Sequence, residues 1–449
     1  MAYIQVPTSA PEPIKNFGNS NALRRKAHRL VPGGAHTYAK GDDQYPESAP
    51  AFIARGQGCH VWDVDGNEFI EYGMGLRAVT LGHAYRPVME AAYRQMQLGA
   101  NFTRPARIEL DAAERMLEII DGAEMVKFAK NGSDVTTAAV RLARAYTGRD
   151  LIAVCGDQPF FSTDDWFIGT TIMDAGIPPP ISGMTIKFRY NDVASLRDLF
   201  EKHPGRIAGV VLEAEAYDPP APGFLETVKT LCEQRGAILI FDEMITGFRW
   251  NLGGAQKFHG VVPHLSTFGK ALGNGFAVSA LAGKRDIMRL GGLDHGVDRV
   301  FLLSTTHGAE THALAAAMET IRIYRECNVV EFLWRQGELL RRLIDASIAE
   351  NGLTGFFELK GRPCNLVFVT RDEQFKPSQE YRTLFMQEMI KRGVLAPSLV
   401  VSFSHGDADI ERTAEAVFEA QVVYRKALDQ GIEKFLEGRP VKPVFRKRN

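Results

Sequence analysis

Three short stretches hold residues whose types could do chemistry together. An apolar run over residues 237–243 ends in Asp242. A second, over 265–270, ends in Lys270 ahead of Ala-Leu-Gly. A third, over 125–130, leads into Asn131-Gly132-Ser133. A lysine in Gly-rich, apolar company is seldom merely solvated. Partial burial favours its neutral amine, the form that attacks a carbonyl to make a Schiff base. An aspartate at a strand end can cap a helix, or it can face a cationic ring nitrogen and keep that ring an electron sink. Gly-Ser at a helix start offers backbone N–H groups, a hydroxyl and the positive end of the helix dipole to a phosphate. The same Asn-Gly-Ser-Asp is also an ordinary N-cap. Each feature alone is ambiguous. In this order they describe a site for a phosphorylated ring held by a lysine.

The elements around them must bring the three stretches to one place. Short apolar runs at 125–130, 151–156, 207–213, 237–243 and 265–270 alternate with helical patterns, among them one through 147 and one over 225–235. Apolar runs this continuous suit strands covered on both faces, as in a mostly parallel sheet. Ligands of such sheets bind at the carboxyl ends of the strands, where Asp242, Lys270 and Asn131 fall. Before the sheet, residues 60–72 read as a hairpin about Asp65-Gly66-Asn67, and 23–30 as a short helix after a Pro-rich arm. Helical patterns cover 87–98, 108–121, 313–324 and 330–350, and further strand and helix segments cover 365–370, 379–392 and 409–428. The organisation expected is an N-terminal segment (1–85) belonging to a small domain, a large cofactor-binding domain (86–330) and a C-terminal small domain (331–449).

Bulk properties narrow the possibilities. The 449 residues are 45% hydrophobic and 24% charged, with a formal net charge of -1, which gives no bulk reason to expect nucleic acid or an anionic membrane as a partner. Five scattered cysteines without paired spacing argue against a disulfide framework. No His/Cys/Asp/Glu group has metal-ligand spacing, so no metal is expected. Neither a signal peptide nor a membrane span is evident, and a cytoplasmic location is expected.

At this point the sequence resembles a known family. FDEMITGFRW (from Phe241) and PHLSTFGKALGNG (from Pro263) resemble the signature of class III, fold type I aminotransferases, in the glutamate-1-semialdehyde 2,1-aminomutase-like branch. VPGGAHTY (from Val31), GCHVWDVDGNEFIEY (from Gly58), LGHAYRPV (from Leu81), RLARAYTGRD (from Arg141) and VVLE (from Val210) agree. The likeness runs over about residues 30–428. It implies an α/β fold type I transferase with a mostly parallel sheet in a large domain and a smaller α+β domain, pyridoxal 5'-phosphate (PLP) as cofactor, and a homodimer with shared sites. It implies that Lys270 forms the Schiff base and moves the proton, and that Asp242 pairs with the pyridine nitrogen. Asn131, Gly132 and Ser133 would hold the phosphate, Thr306 would reach the partner subunit's phosphate, Met244 would pack on a ring face, and Glu213 would lie near the site. Transfer of an amino group from a small-molecule donor to a carbonyl acceptor, through a pyridoxamine form, is the expected activity.

The departures from the family pattern fall where substrate should bind. Phe160 stands where a tyrosine stacks on the ring, although the register also allows Phe161; a Phe keeps the stacking area without the hydroxyl. Lys40 replaces an arginine that grips the substrate carboxylate in the aminomutases, and a lysine cannot copy the bidentate fork. Leu76 replaces an aromatic, Glu310-Thr311 replaces Asn-Pro, and the stretch after Leu395-Ala396-Pro397-Ser398 is shortened. Arg77, in a Gly-rich loop, and His307 join Lys40 as candidate substrate contacts. The alternatives are an aminomutase, racemase or ammonia-lyase on the same cofactor, a nucleotide-binding oxidoreductase, against which the lack of a G-x-G-x-x-G after an early strand argues, and an inactive fold relative.

Overall fold

The computed structural model describes residues 14, 16–158 and 162–448. The chain forms two compact units. One comprises Met1–Met74 and Arg335–Val444, the other Gly75–Trp334 and Phe445–Asn449.

The second unit is built on a seven-stranded sheet. Its strands in chain order are β1 (Met125–Ala129), β2 (Leu151–Cys155), β3 (Thr185–Phe188), β4 (Ile207–Leu212), β5 (Ile238–Asp242), β6 (Leu265–Phe268) and β7 (Ser279–Gly283). The spatial order is β1-β7-β6-β5-β4-β2-β3. β7 runs antiparallel to both neighbours, and every other pairing is parallel. β1, β2, β4, β5 and β6 therefore end on one edge of the sheet. The α/β, mostly parallel architecture is the one expected. β3 and β7 were not foreseen: Thr-Ile-Lys-Phe is short and half polar, and Ser-Ala-Leu-Ala-Gly reads as readily as a loop.

Covered on both faces, the central strands are buried along their whole length. Helix Gly132–Thr147 lays Val135, Ala138, Ala139, Leu142 and Ala143 against Ile152, Val211, Ile240 and Leu281. Its alanines let it come close, and Gly209 in β4 permits the closest approach. A Cβ there would lie 3.0 Å from the Ile238 carbonyl oxygen and 3.3 Å from the Ala143 Cβ. Gly148, left-handed at φ 67°, ends the helix and returns its N–H to the Arg144 carbonyl at 2.9 Å.

In the other unit, Ile53–Gln57, His60–Asp63 and Glu68–Glu71 form an antiparallel set, with Val394–Leu395 added in parallel. The expected turn is present. Asp63 Oδ1 accepts from the Asp65 and Asn67 N–H groups at 2.9 and 2.8 Å, with Gly66 at φ 89°. Phe357–Lys360 pairs with Val367–Thr370, and helices Gln379–Lys391 and Asp407–Gln430 complete the unit.

The close helix–sheet approach yields a test. Gly209→Val would drive a branched side chain into the Ile238 carbonyl and Ala143, and should destabilise the protein by about 3 kcal/mol. Denaturant unfolding measures this; an unchanged midpoint would show that the helix does not need the glycine.

Candidate active site

Glu213, Asp242 and Lys270 sit at the carboxyl ends of three neighbouring strands, β4, β5 and β6. Asp242, 4% exposed, closes β5. Its Oδ1 accepts from the Met244 N–H at 2.9 Å and from the Thr267 hydroxyl at 3.3 Å, Thr267 being its register partner on β6. Burial pushes this carboxyl up, opposed by the Lys270 ammonium and the two hydrogen bonds. Burial also pushes Glu213 up, and the neighbouring Asp242 charge adds to it, while Lys270 and Arg77 act the other way. Lys270 is lowered to about 8. Burial is the main cause, the Asp242 and Glu213 charges oppose it, and Arg77 and Arg249 add to it. The strand ends thus hold a lysine whose pKa is lowered to about 8 beside a carboxylate fixed by two donors.

Asn131-Gly132-Ser133 lies on the same edge, after β1. Asp134 Oδ2 accepts from the Asn131 N–H at 2.9 Å and the Ser279 hydroxyl donates to the Asn131 carbonyl at 2.8 Å, which fixes the helix start. Ser133 is buried, and its Oγ accepts from the Thr163 N–H at 3.1 Å. The first N–H groups of a helix have no partner within it and suit a phosphate. Met244 links this cradle to the lysine. A Cβ on Gly132 would lie 3.2 Å from its Sδ, and one on Gly269 2.8 Å. Six expected residues, Asn131, Gly132, Ser133, Glu213, Asp242 and Lys270, thus lie on the sheet edge around Met244 and the ends of β4–β6. Phosphate donors at one end, a half-buried amine and a strand-end carboxylate fit PLP.

The remaining expected residues are placed as follows. The Thr306 carbonyl accepts from Asn101 Nδ2 at 2.9 Å. His307 Nδ1 lies 2.9 Å from Glu310 Oε1, and Lys130 Nζ lies 2.7 Å from Glu310 Oε2. The glutamate that departs from the family pattern therefore ties the Thr306–His307 segment to the residue before Asn131. Arg77 is half-buried and close enough for its charge to act on Glu213 and Lys270. Lys40 belongs to the other unit, in the short turn Tyr38–Lys40. Phe160, with Phe161, lies outside the described residues.

Two positioning residues escaped notice in the sequence. Gly75, Leu76 and Arg77 all have positive φ (58°, 59° and 70°), a conformation that costs non-glycine residues on the order of 1 kcal/mol each. The buried Arg249 guanidinium donates to the Arg77 carbonyl, to Thr80 Oγ1 at 3.0 Å and to the Ile245 carbonyl at 3.2 Å, and so holds the turn that carries Arg77. The signal was an arginine between Phe248 and Trp250, because a buried guanidinium must find acceptors. Gln158 exchanges two bonds with the Glu213 backbone, Nε2 to carbonyl at 2.9 Å and N–H to Oε1 at 3.0 Å. A lone glutamine carries no such signal.

Comparison with known proteins agrees with this fold. Residues 41–351 match the family described as aminotransferase class-III. The chain is 31% identical over 422 residues to the 3-aminobutyryl-CoA aminotransferase of Cloacimonas acidaminovorans, covering 92% of this chain and 99% of that one. It is 33% identical over 428 residues to the glutamate-1-semialdehyde 2,1-aminomutase of Syntrophobacter fumaroxidans, covering 90% and 97%. Its fold superposes on the FumI protein of Sphingopyxis sp. MTA144, solved in its PLP internal aldimine form, with a TM-score of 0.83 and 29% identity, covering 92% and 97%. The fold and site define a fold type I, PLP-dependent transaminase. The chain belongs to the class-III aminotransferase family.

The lowered Lys270 gives a pH prediction. Neutral amine is the attacking form, so capture of PLP by the cofactor-free enzyme should quicken about tenfold per pH unit and level off near 8. Absorbance of the cofactor follows it. A rate still climbing through pH ~10, the range of an ordinary lysine, would contradict the burial of this amine.

Proposed function

We propose that the chain transfers an amino group between a separate small-molecule donor and a carbonyl acceptor, with Lys270 as its central catalytic residue. The observation that carries this is Lys270, its proton loosened by burial, beside the fixed Asp242 at the ends of adjacent strands. PLP, when bound, supplies a ring that takes up the electron pair left when a substrate carbon loses its proton. Lys270 Nζ would hold the cofactor, and as a base would take the proton from the substrate carbon and deliver it to the cofactor carbon on the other side of the shared nitrogen. Asp242 would pair with the ring nitrogen and keep a proton on it. Asn131, Gly132 and Ser133 hold the phosphate with main-chain N–H groups and a hydroxyl. Met244 would pack on one ring face and Glu213 would border the site, and the family resemblance gives Phe160 the stacking role on the other face.

Lys40, Arg77 and His307 are the proposed substrate contacts. Lysine in place of the aminomutase arginine, and Leu76 in place of an aromatic, favour donor–acceptor transfer over an internal amino shift. A second copy of the chain, bringing Thr306 to its partner's phosphate, is proposed on a surface observation. Leu98, Phe102, Leu293, Val297 and Phe301 are each more than half exposed in the single chain, and a partner would cover such side chains. A cytoplasmic location accords with cysteines that are unpaired among the described residues. No described helix is long and apolar enough to cross a membrane.

Two measurements test the proposal. Lys270→Ala should lower turnover by about four orders of magnitude or more and remove the visible absorbance of lysine-held cofactor, with the fold intact by circular dichroism. Wild-type enzyme given a donor alone should release one carbonyl product per site and stop. Continued turnover without an acceptor would point to an isomerase or lyase instead.

A further inference from the structure

Away from this site, the smaller unit brings together three side chains of a different chemistry. Cys59 Sγ, a His60 ring nitrogen and an Asp409 carboxylate oxygen all lie within 4.8 Å of one another. Adjacent residues of a regular strand point to opposite faces, so Cys59 and His60 could not share a target there. A two-residue turn removes the obstacle. Gln57 pairs with His60, leaving Gly58 and Cys59 as the turn, and Gly58 is left-handed at φ 59°. The Cys59 carbonyl is held by the Glu71 N–H at 2.8 Å. Asp409 comes from the first turn of Asp407–Gln430, far along the chain, which is why linear spacing gave no hint of the group.

The surroundings orient all three. His60 Nε2 lies 2.9 Å from Asp409 Oδ1, while His60 Nδ1 lies 2.8 Å from Glu68 Oε1. Asp409 Oδ2 accepts from the Gly406 N–H at 3.0 Å, which turns Oδ1 toward His60. A carboxylate within ion-pair reach of the other ring nitrogen and a backbone donor behind the aspartate resemble the supports that metal ligands ordinarily have. Cys59 is buried, whereas the His60 and Asp409 side chains keep 26% and 22% of their surface, so an ion could enter and keep a water. A thiol must give up its proton to ligate, so binding at Cys59 is coupled to proton release.

We propose that Cys59, His60 and Asp409 bind one Zn2+ ion, with water as the fourth ligand. Sulfur, imidazole and carboxylate together select a borderline transition ion over calcium or magnesium. Ligand bonds of about 2.0–2.3 Å in a tetrahedron would space the donors roughly 3.2–3.7 Å apart, so the present cluster needs only small movements. On binding, the Sγ–H bond breaks and a Zn–S bond forms, and the His60 Nε2 proton gives way to a Zn–N bond. Both protons pass to solvent, and no electron is transferred. The ion would clip the hairpin to the C-terminal helix within this unit.

Calorimetric titration of chelator-treated holoenzyme with ZnCl2, in two buffers of different ionisation enthalpy, tests the site. One ion per chain should bind with release of about one to two protons, and the ion should raise the melting temperature. Cys59→Ser should abolish this binding with cofactor absorbance unchanged, and Glu68→Gln should weaken it about 10- to 100-fold. If Cys59→Ser does not fold, proton release by the wild type and the Glu68→Gln titration still decide. No stoichiometric zinc, binding without proton release, or equal affinity in Cys59→Ser or Glu68→Gln would each overturn the proposal.

Discussion

The structure turns on keeping ionisable groups together at the ends of β4, β5 and β6. Removing a carboxylate or ammonium from water costs on the order of several kcal/mol per ion, and here Glu213, Asp242 and Lys270 share one enclosed edge. Each alone would neutralise. Together they hold one another. Burial favours the neutral form of Asp242, and Lys270, the Met244 N–H and the Thr267 hydroxyl pull it back toward the charged one. Lys270 is kept from losing its proton altogether by Asp242 and Glu213. The resulting lysine is neither a surface ammonium nor an inert amine, which is what a carrier of a carbonyl cofactor requires.

That arrangement depends on neighbours that never meet the chemistry. Asp242 and Glu243 are adjacent, and their carboxylates have different partners. Glu243 accepts from the Ala255 and Gln256 N–H groups at 2.8 Å each and from the Thr246 hydroxyl, so its burial is satisfied by the scaffold. A Cβ on Gly254 would lie 2.4 Å from its Oε2, which reserves that position for glycine. One carboxylate builds the loop after β5, and the other is left for the site. Gln158 does similar work for β4 by tying off the Glu213 backbone.

Much of this was legible in the sequence, for physical reasons. Strands buried on both faces leave continuous apolar runs, and polar residues closing such runs stand out, as Asp242 and Lys270 do. The hairpin about Gly66 was visible through its turn residues. What escaped were contacts made by tertiary approach. β7 is small and nearly featureless because it is sandwiched between β1 and β6. Arg249 and Gln158 work through backbone groups that only the fold brings near, and Asp409 meets Cys59 and His60 from the far end of the chain.

The same physics explains why the cofactor is easier to read than the substrate. Cofactor groups sit on strand ends, where the sheet fixes both direction and spacing, so residue type nearly determines role. The candidate substrate groups sit on turns. Arg77 is carried by three left-handed residues and held through its own carbonyl by Arg249. A change in that turn alters where a guanidinium points without disturbing a strand. His307 is coupled to Lys130 through Glu310. Loops positioned by a rigid sheet can vary without loss of the chemistry beneath them. A kept lysine and aspartate beneath altered turns is therefore the pattern expected of one reaction applied to a different substrate.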